Sequence, residues 1–130
     1  MSGVSSPKET KEMLDLVVIG AGPGGYVAAV RAAQLGLKAA VVERDAPGGV
    51  CLNWGCIPSK NLIHQAELFH SLAEMEAVGV EVNRASLDYA VLQGKSREVV
   101  MTLTNGVAGL LKRNKVEYIE GNAKISGRGE

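Results

Sequence analysis

Apolar, glycine and polar positions near the start of the chain predict two buried strands around one helix. Residues 16–19, LVVI, form a short apolar run rich in β-branched side chains, typical of a buried strand in a parallel sheet. An alanine-rich helical pattern follows over residues 24–36 and stops at Gly36, a good helix end. Residues 38–43, KAAVVE, predict a second buried strand. Together they predict a β–α–β unit with parallel, adjacent strands.

Two longer helical patterns follow. Apolar residues at steps of four, three and four predict one helix that ends near Ala77. A second stripe, only weakly broken by Gly94 and Gly106, predicts a helix between Leu87 and Asn114. The first stripe contains Leu62, Ala66, Phe69 and Ala73, and the second contains Leu92, Val99, Leu103, Val107 and Leu110. We expect the two helices to pack as an antiparallel pair.

The last segments predict further strands. VEYIEG, residues 116–121, predicts a strand, and residues 122–130 begin a pattern typical of another, with a turn at residues 127–129. No later segment supplies a partner for the hairpin that this turn would start. We therefore expect the chain to be cut short, with a polar extension over residues 1–13 and one incomplete α/β domain over residues 14–130.

Composition bounds the function. The chain of 130 residues is long enough for one core, and 14 basic residues balance 14 acidic residues, which disfavours a nucleic-acid binder. The polar N-terminus lacks the pattern of a secretory signal, and no apolar run approaches the roughly 20 residues that span a bilayer. We expect a cytoplasmic protein without membrane segments. In that reducing compartment, the two close cysteines indicate catalysis or metal binding more than a permanent disulfide.

The sequence GAGPGG, residues 20–25, satisfies the GxGxxG pattern of dinucleotide-binding loops. The loop directly follows a predicted strand and opens a helix, and Glu43 ends the next strand. In such a Rossmann-like unit Gly20 makes the turn, Gly22 lets the backbone approach a pyrophosphate, and Gly25 allows close helix packing. The helix N-terminus favours phosphates, and Glu43 would accept hydrogen bonds from a ribose diol. The loop alone does not separate FAD from NAD, because both contain an ADP half.

Both cysteines of the chain, Cys51 and Cys56, lie within GGVCLNWGCIPSK, residues 48–60. Zinc is disfavoured by their spacing and by the lack of a second cysteine pair. His64 and His70 could in principle complete a zinc site, but structural roles are favoured for both. A disulfide staple would close a very short loop with little entropic benefit. We therefore expect no metal site and a redox role for the thiols.

The redox interpretation depends on a helix that starts near Cys51. Both sulfurs would then lie in its first turns, where the helix dipole favours thiolate, and Lys60 would lie one turn beyond Cys56. Pro58 is tolerable only in a first or distorted turn. A dithiol exchanges two electrons, and a flavin accepts them from sulfur more readily than nicotinamide does. FAD therefore fits the upstream loop better than NAD.

Three stretches closely resemble the dihydrolipoamide dehydrogenases, a family of flavoprotein disulfide reductases. They are GAGPGGYVAA, VVERDAPGGVCLNWGCIPSK and NGVAGLLKRNKVEYIEGNAKI. The resemblance implies that Cys51 exchanges with the substrate and that Cys56 and Lys60 lie near the flavin. It also implies that Ala123 contacts the adenine through its backbone. The expected cofactor-binding residues are Gly20, Gly22, Pro23, Gly24, Gly25, Glu43, Arg44, Gly48, Gly49, Val50, Cys51, Cys56, Lys60 and Ala123, and the expected catalytic residues are Cys51 and Cys56.

The resemblance also implies functions of a longer protein. Members of the family oxidise dihydrolipoamide or a lipoyl domain, pass the electrons through FAD to NAD, and act as homodimers. The sequence has no second glycine fingerprint for NAD and no segment like the family's catalytic histidine motif. We expect the chain alone to be inactive and to self-associate. A non-catalytic FAD-binding half-domain, a flavin-independent thiol-exchange protein, and a glutathione or mercuric reductase stay as alternatives.

Two positions depart from the family pattern. Trp54 stands where the family commonly has a small apolar residue, and Asn61 stands where it often has alanine. A ring at position 54 either changes access to the cysteines or packs against the protein. We expect the change at Asn61 to be neutral.

Overall fold

A computed structural model describes residues 13–127 of the chain. Three parallel strands form a sheet in the order β1 (Leu16–Ile19), β2 (Ala39–Glu43) and β3 (Glu117–Glu120). Leu16 pairs with Ala39, and Ala40 pairs with Glu117. The predicted parallel, adjacent pair of β1 and β2 is therefore confirmed, and so is the strand predicted within VEYIEG.

Helix α1 (Pro23–Gln34) connects β1 to β2 and covers one face of the sheet. Its end matches the prediction, because the N–H groups of Gly36 and Leu37 donate to the carbonyl oxygens of Ala33 and Ala32 and close the last turn. The core between the helices and the sheet is small and aliphatic. Its buried members are Ala21, Ala29, Val30, Val41, Val107, Leu111 and Val116.

The long helices are α3 (Cys56–Ala77) and α4 (Tyr89–Arg113), joined by a segment that contains a short 3₁₀ turn at Arg84–Ser86. The Oγ of Ser96 donates to the carbonyl oxygen of Pro58 near the start of α3, at 3.4 Å. Further along α3, Phe69 borders a pocket with Leu92 from the first turn of α4. The two helices therefore run antiparallel, as expected, and Gly94 and Gly106 do not interrupt α4.

The buried face of α4 differs from the predicted stripe. Val107 is buried, but Val99 and Leu103 are 37% and 41% exposed. The face that packs inward contains Ser96, Val100, Val107 and Leu111. The polar Ser96 interrupts this face in the sequence, and so the apolar pattern pointed to a neighbouring face of the helix.

The predicted strand after VEYIEG is wrong for residues 122–127, which contain no regular secondary structure. A strand requires a neighbour for its ladder of hydrogen bonds, and no strand within residues 13–127 supplies one. Most of the predicted turn at residues 127–129 lies outside the described residues, as does nearly all of the extension at residues 1–13. No helix in the described part of the chain is long and apolar enough to cross a membrane.

Candidate functional site

The glycine loop forms the turn between β1 and α1. The N–H of Gly20 donates to the carbonyl oxygen of Val42 at 2.7 Å, and α1 starts at Pro23 with Gly22 as its N-cap. No side chain caps this helix end, so the N–H groups of its first turn stay available to a ligand. A Cβ added to Gly22 or Gly24 would meet no heavy atom within 4 Å. An anion therefore has both donors and space at this helix end.

Gly25 has a different task from the other loop glycines. A Cβ at this position would lie 1.8 Å from the carbonyl oxygen of Gly20 and 2.9 Å from its carbonyl carbon. Only glycine lets the first turn of α1 lie this close to the end of β1. The expected close helix packing is thus present in the structure.

Glu43, at the end of β2, accepts hydrogen bonds from two backbone N–H groups through its two carboxylate oxygens. Its Oε2 accepts a hydrogen bond from the N–H of Ala21 at 2.8 Å, and its Oε1 accepts one from the N–H of Asp45 at 3.0 Å. A carboxylate offers about four lone-pair directions, so both oxygens keep capacity for another donor. The side chain expected to bind a ribose is therefore held in place by the glycine loop.

The segment that contains the first cysteine packs directly on the glycine loop. It forms the short helix α2 (Gly49–Asn53), and the N–H of Gly48 donates to the carbonyl oxygen of Ala21 at 2.8 Å. Both Gly48 and Gly49 have positive φ, 94° and 60°, and a Cβ on Gly49 would lie 2.8 Å from the Cα of Gly22. Glycine at these positions brings the thiol segment against the glycine loop.

The single helix expected over both cysteines is wrong. Helix α2 ends before Trp54 and Gly55, and α3 begins at Cys56. Gly55 takes a backbone conformation outside both helix and strand, φ −118° and ψ −112°, which ends the first helix and redirects the chain into the second. Pro58 falls in the first turn of α3, where its missing N–H costs nothing, as expected.

The two cysteines nevertheless interact across this break. Both are thiols in the structure; Cys51 is half-buried and Cys56 is exposed. A hydrogen bond with Cys56 raises the pKa of the Cys51 thiol, and partial burial adds to the increase. The ammonium of Lys60, one turn along α3, acts in the opposite direction on this pKa. The break therefore separates the cysteines in secondary structure while keeping their side chains in contact.

Asn53 has no role predicted from the sequence. It is 5% exposed, and its Nδ2 donates to the carbonyl oxygens of Pro47 at 3.1 Å and Gly49 at 2.9 Å. Its Oδ1 accepts from the Oγ1 of Thr104 at 3.1 Å, and Arg97 donates to its carbonyl oxygen at 2.7 Å. These bonds hold α2 to α4. A polar residue between two apolar neighbours was the one signal in the sequence.

A cleft of about 400 Å³ opens beside the glycine loop, at the carboxyl ends of the strands. The expected site residues that line it are Gly20, Glu43, Arg44, Gly49, Val50 and Ala123. Of the others, Gly22, Pro23 and Gly24 form the start of α1, Gly25 and Gly48 pack internally, and Cys51, Cys56 and Lys60 lie outside the lining. Trp54 and residues 121–122 border the same cleft.

A larger cavity of about 690 Å³ lies between α4 and β3. None of the expected site residues lines it. Tyr118 does, and its hydroxyl is buried without a hydrogen-bond partner. Burial and the nearby carboxylates of Glu43, Glu120 and Asp45 raise the pKa of Tyr118. The candidate site is the smaller cleft, because Gly20 of the glycine loop and Glu43, the carboxylate expected to bind a ribose, line it.

A glycine loop on a parallel β–α–β unit, with a segment that carries two thiols packed against it, is the arrangement typical of dinucleotide-binding proteins of the disulfide-exchanging class. The profile of the pyridine nucleotide-disulphide oxidoreductase family matches residues 14–130, and the chain belongs to this family. The family resemblance and the α/β fold expected from the sequence are thereby confirmed.

Three curated relatives show the extent of the similarity. The chain is 51% identical to the dihydrolipoyl dehydrogenase of Zymomonas mobilis over 113 residues, 87% of the chain and 24% of that protein. It is 47% identical to the enzyme of Rhizobium etli over 120 residues, 92% of the chain and 25% of that protein. It is 49% identical to the mitochondrial enzyme of Pisum sativum over 113 residues, 85% and 23% respectively. The chain thus spans about a quarter of their length.

Proposed function

We propose that the chain carries the FAD-binding and dithiol part of a dihydrolipoyl dehydrogenase. The observation that supports this most directly is the packing of the segment with Cys51 and Cys56 on the glycine loop, the loop expected to bind a dinucleotide. Two contacting thiols and a dinucleotide loop are the parts that a protein needs to take electrons from a dithiol and pass them on. The similarity to dihydrolipoyl dehydrogenases supports the dihydrolipoyl group as the substrate.

The glycine loop, the cleft and the thiol segment together fit FAD. The first turn of α1 would bind the pyrophosphate, Glu43 would bind the adenosine ribose, and Cys56 and Lys60 would lie towards the flavin. When bound, the flavin supplies an acceptor for the electron pair of the reduced cysteines. A nicotinamide site is proposed only for the longer protein.

The chemistry of the chain's own residues is a dithiol–disulfide exchange. In the oxidised protein a disulfide joins Cys51 and Cys56, and a thiolate of the substrate attacks the sulfur of Cys51. The Cys51–Cys56 bond breaks and Cys56 leaves as a thiolate. The second substrate thiol, as its thiolate, then attacks the mixed disulfide, so that the substrate becomes a cyclic disulfide and Cys51 is released. Two electrons pass to the protein, and the two substrate protons go to its thiolates or to solvent.

A single-turnover experiment tests this proposal. The oxidised chain is mixed with one equivalent of dihydrolipoamide without oxygen, and the protein thiols are counted by alkylation and mass measurement. We expect two new thiols and one lipoamide per chain, and none in the Cys51→Ser or Cys56→Ser chain. Equal reduction by glutathione would favour a glutathione reductase instead. Failure of the dithiol to reduce the chain would refute the proposal.

Binding of FAD without turnover is the second candidate function, because Glu43 holds the glycine loop in place in the structure. Under this alternative the chain binds FAD, as yellow protein or with a higher melting temperature, but Cys51 and Cys56 do not exchange with dihydrolipoamide. Formation of NADH by the chain with FAD, dihydrolipoamide and NAD would contradict the expectation that it does not complete the cycle.

We also propose that the chain self-associates, since the family resemblance implies a homodimer. Strands β1 and β3 are the sheet edges within residues 13–127, and the side chains of Val17 and Ile19 on β1 are 49% and 60% exposed. Open edges and exposed aliphatic side chains favour pairing with another copy. A sedimentation run that gives only monomer at micromolar concentration would contradict this. The cytoplasmic location stays a prediction. So does the boundary between a polar extension at residues 1–13 and an α/β domain that starts at residue 14.

A further inference from the structure

Trp54 is the only tryptophan of the chain, and the proposed function does not use it. The backbone N–H of Trp54 donates to the carbonyl oxygen of Val50 at 2.9 Å, which closes the last turn of α2. Next to it, a Cβ on Gly55 would lie 3.0 Å from the same carbonyl oxygen. The tight turn therefore fixes the backbone of Trp54, yet its side chain stays 53% exposed instead of entering the core.

The indole lies at the cleft. Trp54 lines it together with Glu43 and residues 121–123, whereas neither Cys51 nor Cys56 belongs to the lining. A ring that controls access to the thiols would be expected on their side. The structure therefore favours a role of the indole toward a ligand in the cleft.

The covalent order of pyrophosphate, ribose and base in a dinucleotide indicates which of these groups would lie near the indole. The pyrophosphate would lie at the N-terminus of α1, and the ribose at Glu43. The base follows the ribose on the side away from the phosphates, so it must continue into the cleft past Glu43. Beside Glu43 the lining contains the charged Arg44 and Asp45 and residues 121–122, and its apolar members are Ile19, Val50, Trp54 and Ala123. Of these, only the indole offers an aromatic face to a purine.

We propose that Trp54 is the stacking platform for the adenine ring of the bound dinucleotide. The inference rests on the proposed FAD site and adds the residue that recognises its base. Aromatic stacking on a base is insensitive to hydrogen-bond patterns, so the ring provides affinity for the flat purine while Glu43 fixes the ribose.

Because Trp54 is the only tryptophan, its fluorescence reports on the base directly. The full chain is titrated with ADP and, separately, with ribose 5-phosphate and with FMN. We expect ADP to quench the emission in a saturable manner, and ribose 5-phosphate to leave it unchanged at the same concentrations. FMN, which lacks the adenosine half, should not compete with ADP.

Variants make the test independent of fluorescence. By calorimetry, Trp54→Leu should weaken ADP binding about tenfold, the scale of one lost base–aromatic stack. Trp54→Phe should keep most of the affinity, because it keeps a ring. Tyr89→Leu is the matched control: Tyr89 is 65% exposed at the start of α4 and lies outside the cleft. Its loss should not change the affinity.

The outcomes separate this inference from the proposed function. If FAD and ADP bind but Trp54→Leu binds ADP as tightly as the unchanged chain, the stacking role is wrong and the FAD site stands. If FMN quenches Trp54 and ADP does not, the ring faces the flavin and the assignment to adenine is wrong. If neither FAD nor ADP binds, the proposed dinucleotide site is wrong and the inference falls with it.

Discussion

The contact between Gly25 and Gly20 gives the sharpest prediction from the fold. In Gly25→Ala the new methyl would lie 1.8 Å from the carbonyl oxygen of Gly20, a distance that Cβ atoms essentially never reach. The obstacle is backbone, not the end of a flexible side chain. Helix α1 and the end of β1 would have to separate by about 1 Å, enough to forfeit a large part of each van der Waals contact between them.

The magnitude follows from what this separation disturbs. Helix α1 buries Ala29, Val30 and Ala32 in a core that is already small. Overpacking against a rigid neighbour costs up to about 3 kcal/mol of the free energy of unfolding. For a domain of this size we expect the melting temperature to fall by roughly 10–15 °C.

Gly24→Ala is the matched control, one residue away on the same helix. A Cβ on Gly24 meets no heavy atom within 4 Å, and alanine in a helix is favoured over glycine by about 0.5–1 kcal/mol. Urea unfolding of both variants with an unchanged m-value measures the difference. If Gly25→Ala is as stable as Gly24→Ala, the close packing of α1 on the glycine loop is wrong.

Three further predictions concern the thiol segment and the end of α4. Asn53→Ala should lower the free energy of unfolding by about 2–4 kcal/mol, because it leaves buried groups unpaired. Asn61→Ala is the control and should be nearly neutral in the same urea titration, since the buried Oδ1 of Asn61 has no hydrogen-bond partner. Equal losses of stability in the two variants would contradict the stabilising role of the Asn53 hydrogen bonds. Cys56→Ala should lower the pKa of Cys51 by removing the hydrogen bond that raises it, so its alkylation rate should rise at lower pH; an unchanged profile would refute this contact. Lys115→Gly should stabilise the chain by about 1 kcal/mol, because Lys115 has φ 57°, and a lower melting temperature would contradict it.

The sequence was sufficient for the β–α–β unit because its determinants are local. The apolar run, the glycine loop and the carboxylate of Glu43 lie within about 30 residues, and each meets a requirement of one turn or one helix end. The same loop pattern predicted the tight position of Gly25.

The break between the cysteines depends on interactions that periodicity does not contain. Asn53 binds Thr104, which is 51 residues away, and Gly55 takes a conformation that no helical pattern marks. The prediction of the inward face of α4 was wrong for a similar reason. Ser96 is polar but buried, because its hydroxyl donates to the carbonyl oxygen of Pro58 on α3. Residues 122–127 matched a strand by composition, but a strand also needs a neighbour.

The hydrogen bonds of Glu43 have a consequence for how fast and how tightly a nucleotide binds. Because one carboxylate holds both Ala21 and Asp45, we expect the loop to be ordered before a nucleotide binds. The apparent affinity is then not reduced by a small competent fraction, and no slow rearrangement precedes the encounter. The entropic cost of ordering the loop is then part of folding, whereas a flexible loop would incur it on binding. The Ala21 amide should accordingly exchange its hydrogen slowly before any nucleotide is added.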